Sequence, residues 1–248
     1  MKKKDREIIE KFFAYFSPCH AIPRANEALA IKTIPLKSPI LDLGCGDGRF
    51  ALFTFGENKI EVGLDCSSGE LEKARKSKAY QKLVLANASN MPFADESFSS
   101  VIANSVLEHV EELDKVLAEV FRILKKEGIF VLTVPTPKVS FYQFWSGFIP
   151  GYAEFKRKFW RHINYFEEEE WQKRLRGVGF KTILIKRTNS KNAVMWADIF
   201  FPLALIGSLK WVVPFLLEEK RRIFGFAENG ATLVIVAKKT KDGSQKLS

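Results

Sequence analysis

The sequence predicts an α/β fold: a doubly wound, seven-stranded sheet with helices at the N-terminus and a helical apolar insertion before the last strand. Three observations predict it. An apolar run from Pro39 to Leu43 carries Asp42, breaks into Gly44, Gly46 and Gly48, and resumes apolar spacing at Phe50, Ala51 and Phe53, which reads as strand, tight turn and helix. Short strand-like runs then alternate with helical patterns, the arrangement that builds a parallel, doubly wound sheet. Finally, Leu113, Val116, Leu117, Val120, Phe121 and Leu124 repeat at helical spacing between Glu111 and Lys126.

The elements follow in order. Ile8, Ile9, Phe12, Phe13 and Phe16 share one face of a helix over Asp5 to Phe16, which suits a lid or a basic amphipathic helix lying on a membrane surface. A second helix, Ala21 to Lys32, leads through Pro35 and Pro39 into the first strand, Ile40 to Leu43. Strands at Ile60 to Leu64, Leu83 to Ala86 and Ser100 to Ser105 flank helices from about Gly48 and over Ser68 to Ala79. The helix Glu111 to Lys126 has acids at its start and Lys125 and Lys126 at its end, with Gly128 to stop it, and Ile129 to Val134 is the fifth strand. Thr182 to Lys186 and Ala231 to Ala237 complete the seven. The organisation expected is N-terminal helices over 1–38, a core over 39–186, an insertion over 187–230 and the last strand with a basic tail over 231–248.

The glycine turn marks a nucleotide-type site. Glycines admit positive φ and close approach of a ligand, and the helix start that follows offers unpaired N–H groups. A dinucleotide fingerprint wants glycine at the sixth loop position, where this chain has Arg49, and has no use for a carboxylate facing pyrophosphate. Asp42 suits a ligand with a cationic amino-acid end. LDLGCGDG at Leu41 to Gly48, VGLDCS at Val62 to Ser67 and FSSVIANSVLEHV at Phe98 to Val110 together resemble the motifs of class I S-adenosylmethionine-dependent methyltransferases. The resemblance runs from about Arg24 to Thr136. It implies S-adenosyl-L-methionine as cofactor, with Asp42, Gly44, Cys45, Gly46 and Gly48 at the methionine end. It further implies Asp65 and Cys66 at the ribose, Asn87 and Ala88 at the adenine, and Asn104 near the sulfonium. Asn87 stands where that family often has an acid, but an amide oxygen accepts the same hydrogen bond. Ser99 replaces a common aspartate and is given no role. Asp42 and Asp65 end adjacent strands one βαβ step apart and so face the crevice where open α/β sheets bind ligands.

Beyond Thr136 the pattern changes. Phe141 to Phe159 is crowded with aromatic residues, and in the resembling family the 137–166 segment lines the acceptor pocket, implying a largely apolar acceptor. Trp160 to Phe180 resembles a landmark of methyltransferases acting on cell-envelope and cofactor precursors. If the acceptor is a hydroxyl or an acidic carbon, a base titrating near neutrality is needed. His162 is the first candidate and His109 the second, while His20 is taken as structural. No metal site is assigned. The insertion holds the run Ile199 to Leu209, too short for a bilayer span of about 20 residues, so it reads as a cap on the pocket or an interfacial element.

Composition bounds the rest. A chain of 248 residues, 46% hydrophobic and 27% charged, suffices for one such domain. Three cysteines, Cys19, Cys45 and Cys66, argue against a disulfide framework and for a cytoplasmic setting, peripheral to the inner face of the membrane if the insertion binds lipid. A net charge of +10 implies an anionic partner or surface, although lysines at both ends carry part of it. The reading is a methyltransferase for a small-molecule or lipid-linked acceptor. An RNA methyltransferase has only the charge in its favour, and a non-catalytic cofactor-binding subunit of a membrane complex is the third alternative. Nothing in the sequence sets an oligomeric state.

Overall fold

Ile40–Leu43 (β1) is buried at every position and lies in the interior of the sheet. It pairs in parallel with Ile60–Asp65 (β2) on one side and Phe98–Asn104 (β4) on the other. In this computed structural model, which describes residues 2–204 and 223–240, the sheet has seven strands in the order β3-β2-β1-β4-β5-β7-β6. The others are Tyr80–Leu85 (β3), Leu124–Pro135 (β5), Phe180–Thr188 (β6) and Thr232–Lys239 (β7). β7 runs antiparallel between β5 and β6, so the sheet is mixed at that edge.

Period-two alternation divides the core. Ile40, Ile102 and Val131 point into one cluster with Lys3–Tyr15 (α1), Pro18–Ile31 (α2), Arg49–Phe55 (α3) and Ser68–Ser77 (α4). Leu41, Leu43, Val101, Phe130 and Leu132 point to the other face, against Leu113–Ile123 (α5) and Glu168–Val178 (α8). The chain order switches between β1 and β4, which places a crevice at their carboxyl ends.

Several boundaries differ from those expected. α5 ends at Ile123, and Leu124 already pairs with Phe98, so Lys125 and Lys126 belong to a strand and do not complement a helix end. A register shift follows, where Gly128 is required because a side chain would meet the Lys125 carbonyl at 2.7 Å. β3 starts at Tyr80 instead of Leu83. α2 begins at Pro18, whose fixed φ suits a first helical turn, and therefore holds Pro23 in its interior.

The aromatic segment folds as Lys138–Tyr142 (α6), a 3₁₀ turn at Trp145–Gly147 and Tyr152–Phe159 (α7). Lys191–Ala204 (α9) is the described part of the insertion and packs on α2 and α6. No helix among the described residues is long and apolar enough to cross a membrane. Asp198 of α9 binds the segment to itself: it accepts from the Tyr152 hydroxyl at 2.7 Å, the Lys156 ammonium at 3.1 Å and the Trp145 backbone N–H at 3.0 Å. The Lys156 and Asp198 side chains are 7% and 2% exposed. Removing one partner of such a pair strands the other charge, so Asp198→Ala is expected to cost about 3–5 kcal/mol in urea unfolding. A loss below about 1 kcal/mol would show that the pair does not hold α9 to the aromatic segment.

Candidate functional site

Each glycine of the turn after β1 has positive φ, at +69°, +51° and +75° for Gly44, Gly46 and Gly48. Their reasons differ. A side chain at Gly44 would lie 2.5 Å from Val106, and one at Gly48 would lie 2.5 Å from the Ser77 hydroxyl, so both are demanded by internal packing. At Gly46 nothing stands within 4 Å, and the space is the cavity itself. This cavity, about 330 Å³, is walled by Asp42, Gly44, Cys45, Gly46 and Asn104 of the residues expected from sequence.

Asp42 is buried and accepts a 2.6 Å bond from the Tyr80 hydroxyl; burial above all, with Asp65 nearby, pushes its carboxyl up to about 7. Asp65 is not part of the cavity wall but holds its floor: its Oδ2 accepts from Gly46 N at 2.9 Å and its Oδ1 from Ser67 N at 2.9 Å. Ser67, and not Asp65, caps α4 through its hydroxyl. Cys66 is exposed, and Gly48, Asn87 and Ala88 lie outside both cavities described here. The Asn87 amide oxygen already takes two bonds from Ser89, from N at 2.9 Å and Oγ at 3.1 Å.

The sequence did not single out Arg24, yet it lines this cavity, opposite in charge to Asp42, Asp47 and Glu70. One guanidinium among three carboxyls fits a ligand that is a zwitterion at one end and carries a further positive charge, as S-adenosylmethionine does. Arg24 would meet the ligand's carboxylate and Asp42 its ammonium.

A second cavity, about 230 Å³, shares His20, Arg24 and Ser105 with the first. His20, taken as structural from sequence, thus stands at the junction of the two, edge-on to Trp160. Glu27 of α2 also lines the second cavity; it accepts from Asn104 and Ser105 at 3.2 Å each, and burial pushes it up to about 7. Glu108 is buried in the same wall and pushed up to about 8. The structure brings His109 and His162 together, their rings 5.3 Å apart. Burial pulls His162 down to about 4, away from the neutral range expected of a base, and the carboxyls of this cavity pushed up toward that range are Glu27 and Glu108. A charged residue on the buried face of an apolar helix, as Glu27 is in α2, was the available signal.

A family described as a methyltransferase domain matches residues 41–132, the stretch that carries β1, the glycine turn, β2, β4 and α5. The chain is 30% identical over 163 residues to an uncharacterised protein of Methanocaldococcus jannaschii, covering 66% of this chain and 74% of that one. The chain belongs to the class I S-adenosylmethionine-dependent methyltransferases. Its cofactor is S-adenosyl-L-methionine. The methyltransferase is also 32% identical over 127 residues to a demethylmenaquinone methyltransferase of Symbiobacterium thermophilum, covering 45% of this chain and half (50%) of that relative. It is 32% identical over 97 residues to a malonyl-[acyl-carrier protein] O-methyltransferase of Hamiltonella defensa, covering 39% of this chain and 38% of that relative. The fold is that of the Thermotoga maritima S-adenosylmethionine-dependent methyltransferase crystal structure, at 24% identity and a TM-score of 0.65 over 88% of this chain and 89% of that one.

Two outcomes follow for the methyltransferase. Asp65→Ala is expected to weaken S-adenosylhomocysteine binding by about 2–3 kcal/mol, since it removes charged hydrogen bonds, and Gly46→Val to do worse by strain and by filling the cavity; calorimetric affinities equal to wild type would detach both from the cofactor. Stability should also depend on pH. Glu27, Asp42 and Glu108 hold protons in the folded state that the unfolded chain has released, so they lower stability as pH rises toward 8. His20 and His162, lowered to about 4, act in the opposite sense, but only up to their ordinary value of 6.5. From pH 6.5 to 8 the ligand-free Tm should therefore fall, and Glu27→Gln and Glu108→Gln should flatten the slope; an unchanged slope in both variants would contradict this.

Proposed function

We propose that the enzyme methylates a small, largely apolar or lipid-linked acceptor, of cell-envelope, isoprenoid or saccharide-lipid type, whose polar reacting end enters beside Glu27. The observation that carries this reading is the second cavity. It opens onto the cofactor cavity through His20, Arg24 and Ser105, and part of its wall is built from α7 and α9. Pro23, Pro135, Val139, Trp160, Val194 and Ala197 give that wall an apolar body, while Arg24, Lys156 and Arg157 give it a cationic part. Phe141, Phe148, Phe155 and Phe159, on the same segment, are exposed, an apolar surface suited to an acceptor that arrives from a lipid phase. The relatives named for demethylmenaquinone and for malonyl-[acyl-carrier protein] support a lipid-related acceptor.

When bound, S-adenosylmethionine supplies a methyl group already activated on a sulfonium sulfur. The protein's part is then chiefly alignment, worth about 7–11 kcal/mol in effective molarity. Glu27, pushed up to about 7 by burial in the wall of the second cavity and bonded to Asn104 and Ser105 of the first, is the group placed to take a proton from a hydroxyl or an acidic carbon. His109 and His162 flank the same cavity as orienting groups.

The same reading extends to place. The exposed aromatic residues and Lys158 would meet the anionic inner face of the membrane, together with Trp211, Lys210, Lys220, Arg221 and Arg222, which lie outside the described residues. The test is transfer of label from methyl-labelled cofactor. Label is expected in a lipid extract presented in anionic vesicles, with loss at high salt and none in RNA; label in RNA alone would overturn the reading. Glu27→Gln is expected to lower kcat by about 10²-fold or more with S-adenosylhomocysteine affinity unchanged, and wild-type turnover would remove Glu27 from the chemistry.

A further inference from the structure

Among the described residues one cluster in the acceptor cavity is used neither for cofactor binding nor for the base. Glu108, His109 and His162 each turn a ligand atom toward the others, and all three atoms lie within 4.8 Å of one another. The backbone clamps the two segments that supply them. Ile163 N and Asn164 N both donate to the Glu108 carbonyl, at 2.7 and 3.0 Å, and the Asn164 side chain donates to the carbonyls of Leu107 and Val110 at 2.8 and 2.6 Å. The 3₁₀ turn Leu107–His109 is thereby fixed against residues 161–164, and the cluster does not depend on mobile side chains alone to assemble.

Two details point to a ligand. Glu108 is 2% exposed and lines the cavity, and its Oε2 has no hydrogen-bond partner. A carboxyl oxygen left so is costly unless something else fills the position. In addition, His109 Nδ1 lies 3.2 Å from the Arg161 carbonyl. A carbonyl can only accept, so this bond puts the proton on Nδ1 and leaves the Nε2 lone pair free, 3.9 Å from Glu108 Oε1. A ring nitrogen tied to a carbonyl while the other faces outward is the usual state of a metal-bound histidine.

We propose that Glu108, His109 and His162 form a binding site for a divalent transition-metal ion beside the acceptor. Two imidazoles and one carboxylate suit zinc, cobalt, nickel or iron, and bonds of about 2.0–2.2 Å require the three groups to draw together from their present spacing, which side-chain rotation can supply. Arg24, Lys156 and Arg157 line the same cavity, so the ion would bind against their charge and depends on its three ligands to offset it. Three protein ligands leave further positions open, and these face the cavity, where an oxygen or nitrogen of the acceptor would take one. The site thus adds a specificity element to the acceptor cavity and stands independently of whether the acceptor is lipid-linked.

The experiment is titration of tag-free, chelator-stripped full-length protein with Co²⁺, read by visible absorption and calorimetry. One equivalent should bind with ligand-field bands and without the thiolate charge-transfer band that the exposed Cys66 would give. Glu108→Gln, His162→Ala and His109→Ala should each weaken binding at least about tenfold, while their thermal shift with S-adenosylhomocysteine stays as in wild type. The thermal shift certifies the fold, and His109 is exposed, so at least that variant tests the site whatever the other two do. No Co²⁺ binding by wild type, a thiolate band, or wild-type affinity in His109→Ala would each overturn the proposal.

Discussion

Burial of charge along α2 is the constraint on which the site depends. α2 packs against α1, α3, α9, β6 and β7, and most of its side chains are buried, Asn26 and Glu27 among them. A buried polar group must find partners or lose its charge. Asn26 finds partners: its amide donates to Asn189 Oδ1 at 3.0 Å and to the Ile223 carbonyl at 2.9 Å, and its oxygen accepts from Gly225 N at 2.8 Å. That set ties α2 to both ends of the described insertion. Glu27 instead rests on Asn104 and Ser105 and is driven toward its neutral form. The helix therefore carries two adjacent buried polar residues of different fate, one fully bonded and one pushed toward its neutral form.

The two cavities are made distinct by the same helix. His20 and Arg24 lie on both walls, and the segment between β5 and β6 contributes to the wall of the second cavity. That wall rests on Asp198, which gathers Tyr152, Lys156 and Trp145 from the aromatic segment onto α9. The aromatic segment is in this way split by function. Tyr152 and Trp160 turn inward, while Phe141, Phe148 and Phe155 remain exposed. A periodicity argument could not sort them, because short helices and a 3₁₀ turn divide the stretch and each element has its own inward face.

The sequence by itself determined the sheet and the cofactor loop. Alternating apolar runs fix strands and their buried faces locally, and the glycine spacing from Gly44 to Gly48 with Asp42 before it states the backbone geometry and the charge a ligand meets. The limits of local reading show at α5, whose helical pattern runs on to Leu124 although the strand pairing of Leu124 with Phe98 ends the helix at Ile123. Only the tertiary structure decided the second cavity. Glu27, Glu108 and His162 come from α2, from the turn after β4 and from the loop before α8, and their proximity, like their protonation, is a property of how much water the packed elements exclude. His162 looks like a base in the sequence because an ordinary histidine titrates near neutrality, and burial among like charges removes that property in the fold.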